Sequence, residues 1–211
     1  MEPFVLRSSA VTLSVPTLAD VEQVAEICSD PAIQEWTVVP SPYAVEDAQG
    51  FVEEFVAPGW AAEHRFTWAV RAPGEVDGRV LGMVGMSCEG EPGTQRRGEV
   101  GYWTAPVARG RGLTTQAARL VVDWALDPDG LGLTRVQWQA FVGNWASRRV
   151  AWKLGFRFEG TLRAYGQQRG ALRDAWMASL LPGDPREPTE PWPAEAPGAG
   201  SAVAPGAGSA V

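Results

Sequence analysis

Six residues, Arg109-Gly110-Arg111-Gly112-Leu113-Thr114, join a strand-like run, Glu99 to Trp103, to an apolar-periodic run, Thr115 to Leu126. Two glycines and two guanidinium groups at such a junction suit an anionic ligand. Glycine lets the main chain come close to what it binds. The first turn of a helix offers N–H groups with no partner inside the helix, at the positive end of its dipole. Arginine adds permanent charge. The same glycines would also serve a plain tight turn, so the loop's chemistry rests on the elements around it.

Metal and disulfide chemistry are poorly supplied. The 211 residues include two cysteines, Cys28 and Cys88, and one histidine, His64. That is too little for a disulfide framework or a histidine-based zinc site. The formal net charge of −7 is unevenly spread, with four arginines against fifteen acids in residues 1–95 and thirteen basic residues against six acids in 96–181. One half therefore favours a cation and the other an anion, unless the two are simply solvated faces of opposite sign. A nucleic-acid partner would fit the basic half, but no recognition motif supports one. No apolar run approaches the ~18 residues of a membrane span, and Met1 to Ala10 lacks the plan of a secretory signal. A cytoplasmic location is expected, with no membrane partner.

The elements that must position the loop are legible from periodicity. Val11 to Val15 alternates as a strand, and Thr17 caps a helix with Leu18, Val21, Val24, Ala25 and Cys28 on one face. Asp30-Pro31 ends it. Ile33 to Tyr43 reads as an irregular loop carrying aromatics, and Val45 to Ala57 as a helix with an acidic face of Glu46, Asp47, Glu53 and Glu54, stopped by Pro58-Gly59. Phe66–Arg71, Val80–Cys88 and Gly98–Trp103 are strands, with Gly82 and Gly85 weakening the second or allowing close backbone approach. After the helix ending at Leu126, Arg135–Phe141 alternates again, which makes a βαβ crossover between parallel strands. Asn144 caps a short helix that Gly155 closes. Phe156–Arg163 and Ala171–Leu180 read as antiparallel strands joined by a linker through Tyr165 and Gly170. Trp68, Trp124, Trp138 and Trp176 sit on periodic elements and are assigned to the core, whereas Trp36, Trp60 and Trp145 could line a pocket. Residues 1–181 form one domain. From Pro182, seven prolines and five glycines in thirty residues, ending in two copies of Ala-Pro-Gly-Ala-Gly-Ser-Ala-Val, predict a disordered tail.

Several of these segments match one family in order and spacing. They are Gly101-Tyr102-Trp103, Arg109 to Thr115, Gly143-Asn144-Trp145-Ala146-Ser147-Arg148-Arg149-Val150 and Lys153-Leu154-Gly155-Phe156. Together they resemble the GCN5-related N-acetyltransferases, and within them the branch that acetylates ribosomal-protein N-termini. Trp36, Pro40, Pro42-Tyr43, Asp47-Ala48 and Arg173-Asp174-Ala175-Trp176 extend the likeness over roughly residues 5–182. Two positions depart from the family pattern. Thr114 stands where it has Gly or Ala and adds a side chain near the phosphates, and Gln116 stands where this branch usually has Glu.

The resemblance implies an α/β fold: a mixed, mostly antiparallel sheet with one splayed parallel pair, flanked by helices. It implies transfer of acetyl from acetyl-CoA to a primary amine, by direct attack in a ternary complex and without a metal. The acceptor would be a protein N-terminus or a small cationic amine such as an aminoglycoside or polyamine. A non-catalytic acyl-CoA-binding module is the alternative of another class. The protein would act as a monomer or homodimer. Backbone N–H groups of Arg109, Gly110, Arg111, Gly112, Leu113 and Thr114 would hold the pyrophosphate. Trp103, Thr104 and Ala105 would meet the pantetheine, and Asn144 would hold the cofactor arm. Ser147 would donate to the departing thiolate. Glu99 would act as base through water, or else be a strand-end charge paired with a neighbouring arginine. Asp174 would be structural, pairing with Arg163 or Arg173.

Overall fold

A computed structural model describes residues 1–197. Its centre is one eight-stranded sheet in the order β1-β2-β3-β4-β5-β6-β8-β7, with β1 Leu6–Arg7, β2 Thr12–Ser14, β3 Arg65–Arg71, β4 Gly82–Glu89, β5 Arg97–Thr104, β6 Arg135–Phe141, β7 Arg157–Gln168 and β8 Ala171–Leu180. Every neighbouring pair is antiparallel except β5 with β6, which the crossover makes parallel. This is the α/β arrangement expected from the sequence. Among the described residues no helix is long and apolar enough to cross a membrane.

The two faces of the sheet carry separate apolar clusters because side chains alternate along a strand. On one face Trp68, Val84, Val100 and Trp138 pack under α5 (Leu113–Leu126), which buries Ala117, Val121, Val122 and Ala125. On the other, Ala69 and Met83 pack against Val24 and Cys28 of α1 (Val21–Cys28) and Ala48 of α3 (Val45–Gly50). The small residues of α5 let it lie close on the strands. At the edge of the first cluster Trp60, Trp68 and Trp124 meet edge-on around Phe4, with ring centroids 4.9–5.7 Å apart, the arrangement aromatic quadrupoles prefer.

Three expectations are corrected. Ile33–Trp36 belongs to a helix, α2 (Pro31–Trp36), because Asp30 accepts from the Ala32 and Ile33 N–H groups and Pro31 starts the helix rather than ending one. The helix from Val45 does not stop at Pro58-Gly59. It passes through a π-helical turn, Phe51–Val56, and continues as α4 (Ala57–Ala61), with Pro58 just after the π turn. The linker between the last two strands is strand, since β7 reaches Gln168 across register shifts near Gly160 and Ala164, and the turn is Arg169-Gly170. The expected disordered segment also divides. Residues 182–197 lie on the domain: Trp192 packs on Trp145 and Trp152, and the Arg186 guanidinium pairs with Asp123. Gly198 to Val211, with nearly all of the repeat, lie outside the described residues.

One buried ion pair fixes the N-terminal strands to α1. Arg71 is 1 % exposed and meets Asp20 in two parallel bonds of 3.0 and 2.8 Å, while its Nε donates to Ser14 and its other protons reach the Gly78 carbonyl. Asp20 also accepts from the Thr17 N–H at 2.8 Å. Asp20→Ala would strand the guanidinium charge in the interior and is expected to cost ~3–5 kcal/mol. Urea unfolding monitored by circular dichroism reads this directly.

Candidate active site

β5 and β6 are paired only at Arg97–Glu99 with Arg135–Gln137, and then they part. β4 follows β5 to Thr104, so β5 keeps its shape beyond the fork. The Ala105 N–H donates to the Leu81 carbonyl on the β4 side at 3.0 Å, and the Arg96 carbonyl accepts from Thr134 on the β6 side at 2.9 Å. Backbone direction alternates along a strand, so Tyr102 and Thr104 turn their main-chain groups into the gap. Of the three positions expected there, Thr104 faces the gap, and Trp103 and Ala105 face β4 instead. Tyr102 was not among those expected, although alternation from Ala105 identifies it once the pairing is known.

Beyond the open end of the gap lies the glycine-arginine loop. Gly110 and Gly112 have φ of +74° and +75°, and a Cβ at either would meet nothing within 4 Å. Their requirement for glycine is conformational, and the space around them is open. Among the described residues, no N–H from Gly110 through Thr115 has a protein acceptor. Six such groups at the start of the fourteen-residue α5 make a nest for an anion. The Thr114 hydroxyl bonds to that of Thr104 at 2.5 Å, fastening the helix to the end of β5. Arg109 pairs with Asp30 at 2.5 Å, and the guanidinium holds that carboxyl below its usual range. Arg111 is exposed and makes no ion pair among the described residues.

The gap is closed from beneath. Tyr102 and Trp138 point to the same face from opposite sides of the fork, and α6 (Trp145–Lys153) brings Ser147 between them. The Trp138 indole N–H donates to Ser147 Oγ at 3.0 Å, Ser147 Oγ donates to the Tyr102 hydroxyl at 3.3 Å, and that hydroxyl donates to the Ser147 carbonyl at 3.0 Å. Burial pushes the Tyr102 phenol up, so it stays a neutral donor. Asn144 caps α6 by accepting the Ser147 N–H at 3.1 Å. Asn144 and Ser147 are thus one unit at the floor of the fork.

Glu99 stands on the opposite face at the last paired position. Its carboxylate accepts from Gln137 at 3.1 Å and Gln139 at 2.8 Å, both on β6. No arginine pairs with it among the described residues. Burial raises its pKa above the ordinary range, with the Gln137 bond opposing. A carboxylate shifted this way beside a cleft has the character of a proton acceptor. Asp174 is structural, as expected, but its Oδ1 accepts the Ala164 N–H at 2.8 Å in place of an arginine. No cluster of His, Cys, Asp or Glu among the described residues could hold a metal ion.

The tryptophans sort differently from expectation. Trp60 is core, at 1 % exposure. Trp36 packs against Gly143 and under Arg173, and Trp145 packs at a tilt against Trp176, with centroids 4.7 Å apart and planes 57° apart. Phe51 and Phe55, which join Phe66, Tyr102 and Trp103 in lining a cavity beside the fork, are not anticipated, because aromatics spaced i, i+4 on an apolar helix face read as core.

Comparison with known proteins places this geometry. Residues 10–157 match the family described as the acetyltransferase (GNAT) domain. YdaF of Bacillus subtilis (strain 168), whose name assigns it to the ribosomal N-acetyltransferases, is 33% identical over 128 residues, 61% of this chain and 68% of that one. RimJ of Mycobacterium smegmatis, solved with CoA-disulfide, superposes with a TM-score of 0.72 at 22% identity, over 86% of this chain and 90% of that one. The ribosomal-protein-S5-alanine acetyltransferase of Vibrio fischeri gives 0.71 at 19%, over 88% and 100%. The open nest and the unpaired strand edge suit a pyrophosphate and an amide-bearing arm. The chain belongs to the acetyltransferase (GNAT) family and is an acetyl-CoA-dependent N-acetyltransferase.

Proposed function

We propose that the protein acetylates the N-terminal α-amine of a protein or peptide, by direct attack of the amine on the thioester in a ternary complex. The observation that carries this reading is the fork itself. A nest for the pyrophosphate lies at its mouth, unpaired main chain along it, and a carboxylate at its vertex. Acetyl-CoA supplies the activated acyl group. The N–H groups of Gly110 to Thr115 would bind its pyrophosphate, and Arg109 and Arg111 would add charge. Tyr102 and Thr104 would bond the pantetheine amides from β5, with Asn144 on the other side of the arm. An amine with a pKa of roughly 8–10 is mostly protonated at neutral pH, and Glu99 would take that proton, directly or through water. Ser147 Oγ–H would turn from Tyr102 to the sulfur as negative charge develops there.

Direct attack is favoured because the chain offers no thiolate. Burial raises the Cys88 thiol to about 11 and Cys28 to about 12, so neither is a nucleophile at neutral pH. The name of the Bacillus relative supports a ribosomal or other protein N-terminus. The acidic helix face supports a polycationic amine less than the sequence suggests, since Asp47 caps the Ala44 N–H at 2.8 Å and Glu53 bonds Gln49 at 2.9 Å.

Turnover of acetyl-CoA against N-terminal peptides, polyamines and aminoglycosides together, read as released thiol, tests the acceptor. Peptides alone should be substrates. Gly112→Asp should weaken acetyl-CoA by ~100-fold or more in calorimetry, because a side chain is strained at that φ and its charge opposes the pyrophosphate.

Glu99→Gln should lower kcat by ~10²-fold or more. In the native enzyme kcat should rise with pH through the raised Glu99 pKa, and the variant should lose that limb. The same shift sets a stability sign. A carboxyl whose pKa is raised by folding stabilises most when protonated, and that contribution is lost as pH climbs through the raised value. The Glu99→Gln variant, permanently neutral at this position, should therefore melt no lower than the native protein at pH 7. Ser147→Ala should reduce kcat by ~10²-fold or less and also cost ~1–3 kcal/mol of stability, because the Trp138 indole loses its acceptor.

A further inference from the structure

We propose that the first side chain of the acceptor is uncharged and apolar, and that it sits in a cup floored by Gly101 and Gly85 and roofed by Phe51 and Phe55. The inference rests on the reading of the acceptor as an N-terminal amine. On the Glu99 face of the sheet, register places Ser87 beside Glu99, Gly85 beside Gly101, and Met83 beside Trp103. Two glycines side by side leave a depression between a polar row and an apolar row. Gly101 is exposed, has ordinary extended φ, and a Cβ added to it would meet nothing within 4 Å. Neither strain nor crowding requires glycine there, and the space above it is a cavity of about 170 Å³.

The cavity roof comes from the π-helical turn. Phe51 and Phe55 stack at 5.5 Å with their planes 25° apart, and Phe55 stays 39 % exposed. Arg65 lies over Phe55, 4.3 Å from the ring centroid, at the rim. No acidic side chain among the described residues lines the cup. A cationic side chain would find one like charge and no counter-charge there, and a carboxylate would meet its only counter-charge, Arg65, at the rim and would lose its hydration to an otherwise mostly apolar cup. At about 170 Å³ the space is smaller than the ~300–1,000 Å³ of drug-sized ligand pockets and suits a single side chain.

Position fixes which side chain. Glu99 and Gly101 are two residues apart on one strand face, ~6.6 Å by strand rise. The gap that would hold the thioester runs along the same stretch of β5. An amine held between Glu99 and the thioester therefore carries its own first side chain over Gly101. Residues further along the acceptor lie outside so small a space.

The test uses peptides identical except at their first residue, Gly, Leu, Lys or Glu, with turnover followed by thiol release. The native enzyme should show kcat/KM for Leu about tenfold or more above Lys and Glu, the discrimination expected of one apolar pocket. Gly101→Val should fill the cup at a position where valine suits the strand. Its melting temperature and acetyl-CoA affinity should match the native protein, and the ratio of kcat/KM for Leu over Gly should fall about tenfold. Phe55→Ala, at a half-exposed position, should lower the same ratio by opening the roof. Equal rates on all four peptides would overturn the cup while leaving the N-terminal reading intact, as would a loss in Gly101→Val that is the same for Gly and Leu. Turnover of polyamines or aminoglycosides with none of the peptides would overturn both.

Discussion

A strand cannot end its pairing in a protein interior without leaving main-chain donors and acceptors to be met by something else. β5 and β6 are parallel for three residue pairs and then diverge, and the candidate site is built around that divergence. The strands are held apart by matter beneath them. Tyr102 and Trp138 bring two large rings to the same side of the fork, and Ser147 ties their polar ends together. At the closed end the packing is the reverse. A Cβ on Gly98 would lie 2.7 Å from both Leu133 and Met86, so the strands there must stay close. Tightness below and bulk above set the angle of the fork.

The glycine-arginine loop, α2 and the last hairpin are fastened to one another by polar ties. Asp30, which caps α2, also holds Arg109 of the glycine-arginine loop. At the other end of α2, Gln168 donates to the carbonyls of Gln34, Glu35 and Thr37, and Arg173 to that of Glu35. The hairpin of β7 and β8 thus supplies the donors that the last turn of α2 lacks. Behind the fork, Trp192 wedges against α6, the helix that carries Ser147, and Arg149 lies over its ring at 5.1 Å. The chain after β8 is in this way part of the support of the site.

What could be read from sequence was whatever has a short-range cause. β6 was bounded correctly because alternation and flanking turns define it, and Asn144 and Gly155 because caps are local. The loop glycines were legible for the same reason, as their positive φ confirms. Misreadings arose where one residue type serves two purposes. Proline after a capping aspartate begins a helix as readily as it ends one, as Pro31 does, and a proline within a helical run need not stop it, as Pro58 shows. Gly166 reads as part of a linker, but it lies within β7, where a Cβ would meet the ring of Phe141 across the sheet. Register was not legible at all. The pairing of Gly85 with Gly101, the direction of Tyr102, and the Gln137 and Gln139 bonds to Glu99 each depend on which strand lies beside which.

Gly101 carries a consequence for how such a domain can diversify. Most glycines in this chain are held by a positive φ or by a neighbour's backbone, and replacing them would damage the fold. Gly101 is under neither constraint. Glycine, alanine and valine codons differ by a single base, so the depth of the cup can be reset by one mutation while the sheet, the main-chain nest before α5 and the Glu99 carboxylate are left as they are. On the proposed reading, such a change would alter acceptor range and leave the coenzyme site as it is.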